Sequence, residues 1–462
     1  MNTPICDFLE AYAQSGAVRL HMPGHKGRAE SSALSGEHSP ALDRCVQALD
    51  LTEIAGADDL YHPQGIIRES EENAAALFGA GATLYSTGGS SQCVRAMLYL
   101  ALLAFYERRP GARPVVVAGR NAHKSFLTAA ALLDFDIHWL CPQEEAYSLC
   151  RCPVTPGQVE RALLAEPDAA ALYVTSPDYL GHCVDLAPLG RLAREKGVPL
   201  LVDNAHGAYL RFLPQPCHPL DQGAVLCCDS AHKTLPVLTG GAYLHIARGA
   251  PERFFERARE AMGLFGSTSP SYLILRSLDQ ANRALAGDYP QRLAEIIQRV
   301  AALKHRLEQR GWRFTGDEPL KLTLDAKDFG LTGTALGEAL NRQGVVHEYA
   351  DRDYLVLMPS AGTSKEDLAR LEQALLGIKP NAALPGALPA FTLPERVLPV
   401  RRALFLPSRQ TPVEEAAGKV AATLTAACPP AVLPAVPGER IGKDTVAVYK
   451  YYGIETVEVL AQ

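Results

Sequence analysis

Two residues 30 positions apart, Asp203 and Lys233, are of types that together support covalent chemistry. Asp203 ends the apolar run PLLVD, where a largely buried carboxylate is expensive unless it meets a cation. Its plainer reading is a cap for the next helix. Lys233 stands in DSAHKTLPVLTGGA between His232 and the Gly240–Gly241 turn, and an amine partly desolvated there becomes nucleophilic. A solvated surface lysine is the plainer reading, yet Ser230, His232 and Thr234 leave little of the segment to be an ordinary surface loop. A third segment, Ser86–Ser91 (STGGSS), runs into the helical stretch QCVRAMLYLALLAF. Glycines such as Gly89 let backbone approach a phosphate, serine hydroxyls add donors, and the positive end of a helix favours a dianion. A simple N-cap loop would read the same way. His123, in RNAHKSF, is of a type to lie against an aromatic ring, although lone histidines are more often structural. A phosphate cradle, a ring sandwich, a charge partner for a ring nitrogen and a lysine are what a cofactor with a phosphate, an aromatic ring and an aldehyde requires.

The elements that position these residues follow from the apolar pattern. Short apolar strands are expected at Pro114–Ala118, Ala171–Thr175, Pro199–Val202, Ala224–Cys228 and Gly241–Ile246, alternating with helix-like stretches. The first four run into RNAHKS, SPDYLG, DNAHGAY and DSAHK, and in open α/β sheets ligands bind at such strand ends. The expectation is an α/β large domain with a mainly parallel sheet, plus a smaller α+β C-terminal domain. The boundaries read as an N-terminal arm over 1–55, a cofactor-binding domain over 56–300, a small domain over 301–378, and a linker with a C-terminal segment over 379–462. Residues 270–310 are helical in pattern. In the small domain strands are expected near Leu320–Leu324 and Tyr354–Met358, with a helix Lys365–Leu376 capped by Ser364 and Asp367. Residues 378–399, rich in Pro and Ala, read as a connector.

Composition narrows the function classes. At 462 residues two domains are expected. Acidic residues outnumber basic ones by 51 to 45 without a basic block, which disfavours a nucleic-acid partner. No basic-then-apolar leader and no apolar run of membrane length occurs, so a cytoplasmic protein is expected, with no membrane partner. The 11 cysteines form no C-x-x-C pair, and Cys227 and Cys228 read as small hydrophobes within a strand. Cys141, Cys150 and Cys152 near His138 fit no standard zinc spacing, so no metal is expected.

The segments HMPGHKG (21–27), ADDLYHPQGII (57–67), TGGSSQCVRAM (87–97), RNAHKS (120–125), SPDYLG (176–181), DNAHGAY (203–209), SAHKTL (230–235) and VPGERI (436–441) together resemble the ornithine/lysine/arginine decarboxylases. These are fold type I pyridoxal-phosphate (PLP) enzymes, and the length is similar to their short form. The resemblance implies phosphate contacts at Ser90, Ser91 and Ser230, ring stacking by His123, and a pyridinium partner at Asp203. It places His206 close to the cofactor and the Schiff base on Lys233 beside His232. Thr268, in STSPSY, matches a segment that reaches the neighbouring subunit's cofactor, which implies a homodimer or higher homo-oligomer. For a basic substrate's distal cation, Glu439, Asp58 and Asp59 are the candidate acids; each also reads as an ordinary turn or cap residue. Departures from the family are Gly88-Gly89 before the phosphate hydroxyls, Asn204 and Tyr209 in DNAHGAY, and changes at Ala421–Thr423 and Cys428. They bear on the substrate more than on the cofactor. The implied activity is decarboxylation of arginine, lysine or ornithine to a polyamine-type amine. The same scaffold supports aminotransferases and other lyases, or a catalytically silent partner, although silence would not need Lys233 and Asp203 intact.

Overall fold

The computed structural model describes residues 1–19, 21–23, 25–26, 40–144, 146, 148–384, 388–424 and 432–461. Gly24, Gly27 and Cys428, and 385–387 of the connector, lie outside that set. Seven strands carry the strand-end clusters or neighbour those that do: β1 (Ala82–Ser86), β2 (Val115–Gly119), β3 (Asp136–Leu140), β4 (Ala171–Thr175), β5 (Leu200–Asp203), β6 (Leu226–Asp229) and β7 (Ala242–Ile246). In β5, β6 and β7 every residue is buried, so LLVD, LCCD and AYLHI are mainly apolar, with Asp203, Asp229 and His245 the buried exceptions. The chain divides into two compact units, Met1–Ala104 with Asp203–Pro290, and Phe105–Val202 with Gln291–Gln462.

In the first unit β7 pairs antiparallel with β1 and with β6, setting Tyr85 against Tyr243 and Cys228 against Leu244. Phe78, from the helix Ile66–Phe78, packs on Tyr243 and His245 at 5.2 and 4.4 Å between ring centres. Burying such a ring is worth about 1.5–3 kcal/mol. The helices Pro4–Gln14 and Tyr272–Ala286 are joined through Asp279, whose carboxylate accepts from the Cys6 N–H at 3.0 Å and the Ser70 hydroxyl at 2.6 Å.

In the second unit β2 pairs parallel with both β3 and β4, and β5 follows β4 in the strand order. A separate antiparallel sheet runs Tyr349–Ala350, Tyr354–Leu357, Leu322–Asp325, Arg313–Thr315. The helix Lys365–Leu376 starts at a capping box, Ser364 Oγ accepting from Asp367 N and Asp367 accepting from Ser364 N, both at 3.0 Å. Near the C-terminus Ser408–Pro412 pairs antiparallel with Thr456–Leu460.

The five expected strands fall within two residues of β2, β4, β5, β6 and β7, and the 270–310 stretch forms the helices Tyr272–Ala286 and Tyr289–Glu308. Two strands, β1 and β3, have no counterpart among the expected ones.

Candidate active site

At the end of β1, Ser86 Oγ donates to Gln92 Oε1 at 2.6 Å and accepts from Gly88 N at 3.1 Å, which fixes the turn. Gln92 in turn donates to Tyr61 OH and to the carbonyl of Met262. Gly89 opens the helix Gly89–Arg108 with φ +71°, a left-handed value that a side chain would strain. A Cβ added there would meet nothing within 4 Å, so the turn faces open space at the helix's positive end. Ser90 and Ser91 are half-buried in that first turn, and Ser230 Oγ, arriving from the end of β6, donates to Ser90 Oγ at 2.7 Å.

The ends of β5 and β6 are tied to each other. Asn204 N donates to the carbonyl of Cys228 at 2.9 Å, and the Cys228 thiol reaches Asp203 Oδ1 at 3.5 Å. Asp203 is 3% exposed and also accepts from Ala205 N at 3.2 Å. It does not cap a helix: the next helical turn, Ala208–Phe212, begins after Gly207. Lys233 lies in the short helix Ala231–Thr234, with its N–H on the Ser230 carbonyl, and its Nζ donates to Nε2 of buried His206 at 3.0 Å. His232 Nδ1 donates to the Gly241 carbonyl at 3.1 Å, which leaves the ring's lone pair on Nε2. Ser90, Asp203, His206, Ser230 and Lys233 are thus linked, in two groups, around three strand ends of one unit. Thr268 is exposed in the loop after the helix Glu252–Phe265.

The acids considered for a substrate cation have other partners. Asp58, itself at φ +69°, accepts from the N–H groups of Asp59 and Gln64 through Oδ1 and of Gly65, Ile67 and Arg68 through Oδ2, at the start of the helix Ile66–Phe78. Burial raises its pKa, but those donors outweigh it and hold the carboxyl below its usual value. Asp59 accepts from Tyr61 N at 2.8 Å and meets His62 Nδ1 at 3.2 Å. In the second unit both oxygens of Glu439 are taken by Arg120, at 2.8 and 2.7 Å, with side chains 3% and 0% exposed. Val436 N adds a third donor at 2.8 Å, and the guanidinium lies over Trp139. Also in the second unit, His123 is the N-cap of the helix Lys124–Leu133; its Nδ1 accepts from Ser125 N at 3.2 Å. Cys152 donates to the Leu140 carbonyl and His138 pairs with Glu166.

This donor set fits pyridoxal phosphate. Serine hydroxyls at a helix N-terminus facing open space suit a phosphate dianion, a buried carboxylate suits a protonated ring nitrogen, and an amine at the next strand end suits an aldehyde. Comparison with known proteins agrees. A family model described as Orn/Lys/Arg decarboxylase, major domain, matches residues 3–324. The chain belongs to that family. The decarboxylase is 31% identical over 466 residues to a Bacillus subtilis protein named YaaO, with 96% of this chain and 93% of that one covered. It is 28% identical to the arginine decarboxylase of Bacillus subtilis, covering 96% and 92% of the two chains. Among solved structures, the constitutive lysine decarboxylase of Escherichia coli matches with a TM-score of 0.78 at 19% identity, over 100% of this chain and 82% of that one. Lysine decarboxylase A of Pseudomonas aeruginosa matches with 0.81 at 19% identity, over 99% and 80%. These likenesses establish the fold as the fold type I, α/β architecture, and the family implies PLP as the cofactor.

Sequence reasoning missed a buried group next to this site. Asp229, the residue before Ser230, meets His218 Nε2 at 3.0 Å and His245 Nε2 at 3.2 Å, and accepts from Asn204 Nδ2 at 2.7 Å. Among the described residues these three side chains are the one His/Cys/Asp/Glu group close enough to surround a metal ion. Asp229 lay within the quoted DSAHK; His218 and His245 carried no signal.

Proposed function

We propose that this decarboxylase acts on a basic amino acid, arginine before lysine before ornithine, with pyridoxal phosphate carried on Lys233. The observation that carries the assignment is the Lys233–His206 contact at a strand end tied to Asp203, with the Ser90–Ser230 hydroxyl pair at the adjoining helix start. Bound PLP supplies a sink for the electron pair left at Cα when CO₂ departs. The protein does the rest. Ser90, Ser91, Ser230 and the backbone at Gly89 hold the phosphate. Asp203, a buried carboxyl at the strand end, would keep a proton on the ring nitrogen. His206 orients the Lys233 amine. Lys233 would return a proton to Cα, or His232 once its Nε2 has itself taken up a proton. His123 keeps its ring-stacking assignment, with its imidazole held by Ser125.

Arginine leads because the relatives of similar length are named arginine decarboxylases. Glu439 is not assigned to the distal cation, since Arg120 already occupies it, and Asp58 is committed to the start of its helix. The product would be a polyamine-type amine. The working form is a cytoplasmic homodimer in which Thr268 approaches the partner's cofactor; among the described residues no helix is long and apolar enough to cross a membrane.

Release of CO₂ from a panel of amino acids, with and without added PLP, tests the reading. The expected result is PLP-dependent release from arginine, lysine or ornithine. Release confined to neutral or acidic amino acids would overturn the substrate class, and keto-acid formation without CO₂ would overturn the reaction. Mixing inactive Lys233→Ala with an inactive Thr268 variant should restore activity through hybrid dimers; an active monomer in sedimentation sinks the shared site.

A further inference from the structure

Asp229 closes β6, is fully buried, and accepts four hydrogen bonds: from Asn204 Nδ2 (2.7 Å) and the Cys227 thiol (3.6 Å) on Oδ1, and from His218 (3.0 Å) and His245 (3.2 Å) on Oδ2. The protons in this cluster can be placed. Leu220 N donates to His218 Nδ1 at 3.4 Å, so that nitrogen carries the lone pair and the ring proton sits on Nε2, facing Asp229. His245 Nδ1 meets the Thr83 hydroxyl at 2.8 Å, and burial pushes the His245 pKa down, so this imidazole is also neutral and donates through Nε2. The same assignment disposes of a metal. With His218 Nδ1 accepting a backbone N–H, coordination through Nε2 would demand an imidazolate, so protons hold this cluster together. Two neutral imidazoles satisfy the carboxylate without cancelling its charge. Burial acts to raise the Asp229 pKa, yet the histidines hold it below the usual carboxylate range.

What Asp229 grips is the turn that carries Asp203. Asn204 is anchored to β6 twice, by its backbone N–H on Cys228 and its side-chain amide on Asp229. Gly207 makes room for that amide: a Cβ there would stand 2.0 Å from Asn204 Oδ1. The anchored turn contains Asp203 on one side and His206, the partner of Lys233, on the other. The two carboxylates also share a neighbourhood. Burial, then Asp229, then Asp203 push the Cys227 thiol well up, so the charge of both reaches one sulfur.

We propose that Asp229, clamped by neutral His218 and His245, is a positioning residue that fixes Asp203 through Asn204 and adds a second buried negative charge favouring a proton on the cofactor's ring nitrogen. This rests on the reading of Asp203 as the partner of that nitrogen. The prediction is chemical as well as structural, since a uniform loss of packing would leave the protonation of the ring untouched.

The test uses full-length protein loaded with pyridoxal phosphate labelled with ¹⁵N in the ring. The ¹⁵N shift is followed against pH, with the cofactor dissociation constant, kcat and KM measured on the same samples. In Asp229→Asn the ring nitrogen should lose its proton about one pH unit lower than in wild type, with kcat down about tenfold and KM within about twofold. Asn204→Ala, which leaves Asp229 with both histidines, and Gly207→Ala, which evicts the amide, should shift the nitrogen in the same direction, so the result does not depend on one variant folding. Asp203→Asn is the reference and should shift it most. If Asp203→Asn moves the ¹⁵N titration while the folded Asp229 and Asn204 variants match wild type, this inference is overturned and the Asp203 reading stands. If Asp203→Asn leaves the titration unmoved, the Asp203 reading falls and this one with it.

Discussion

Two buried carboxylates, Asp229 in the first unit and Glu439 in the second, are satisfied in opposite ways. Glu439 faces a guanidinium in a bidentate fork, so its charge is cancelled where it sits. Asp229 faces two neutral imidazoles, an amide and a thiol, so its hydrogen bonds are complete while its charge persists. A cancelled pair is a stability element whose removal strands a partner. An uncancelled charge is felt by whatever lies near it, and here what lies near is a set of residues suited to a cationic ring.

The largest expected effect isolates the chemistry of the first unit. Lys233→Ala should lower decarboxylation by at least about 10²–10⁴-fold, and borohydride should no longer fix cofactor to the protein, while the unfolding midpoint without cofactor stays near wild type. Cofactor fixed to a different lysine would break the assignment. Next comes the second unit's pair: Arg120→Met should cost about 3–5 kcal/mol in denaturant unfolding, because it leaves Glu439 buried and unpaired, and adding Glu439→Leu should recover much of the loss. A Glu439→Gln protein with unchanged stability and a KM for basic substrates raised manyfold would instead return Glu439 to the substrate.

A third carboxyl sharpens the contrast, because it has too little compensation. Glu318, buried in the second unit, accepts from Lys321 N, and burial pushes its pKa up to about 7 from 4.5, against the opposing pull of Lys321. The folded state therefore holds the proton more tightly than the unfolded one. Its contribution to stability is fully present below about pH 4.5 and is lost as pH rises through about 7. Glu318→Gln should remove that slope and stabilise the protein at pH 8 by on the order of 2–3 kcal/mol, read from unfolding midpoints across the range. An unchanged pH profile would refute the assignment. Smallest is Ser364→Ala, where loss of one cap should cost about 1 kcal/mol without touching cofactor affinity. A loss of several kcal/mol would mean that the cap supports more than its own helix.

Local signals were legible, and long-range ones were not. The Ser364–Asp367 box is written in four consecutive residues, and β4 appears at its expected limits because ALYVT is both apolar and β-prone. β3, Asp136–Leu140, escaped because only Leu140 is buried, so DIHWL carries no apolar run. β1 escaped because ATLYS abuts the glycine-serine turn that drew attention to itself. In the candidate site, Asp203, Lys233 and the Ser86–Ser91 turn could be named because each follows a strand or opens a helix, whereas the phosphate roles of Ser90 and Ser230 came from the family resemblance. Arg120 and Glu439 stand 319 positions apart, and no property of either segment announces that they meet. Sequence reasoning accordingly offered Glu439 to a ligand, when the fold had already given it to an arginine.

The burial of Cys93, Cys227 and Cys228 around the strand ends has a practical corollary. A thiol reacts only as thiolate, and these three are pushed well up by burial first and then by the nearby carboxylates, with Ser86 opposing at Cys93, so alkylating reagents cannot touch them while the strands stay closed. Cys45 and Cys183, both exposed, should label first. Slow labelling at Cys227 and Cys228 in native protein is then a clock for the opening of β6 itself. Slowing of that clock by added cofactor would report, sulfur by sulfur, how far occupancy of the site travels into the strand that holds it.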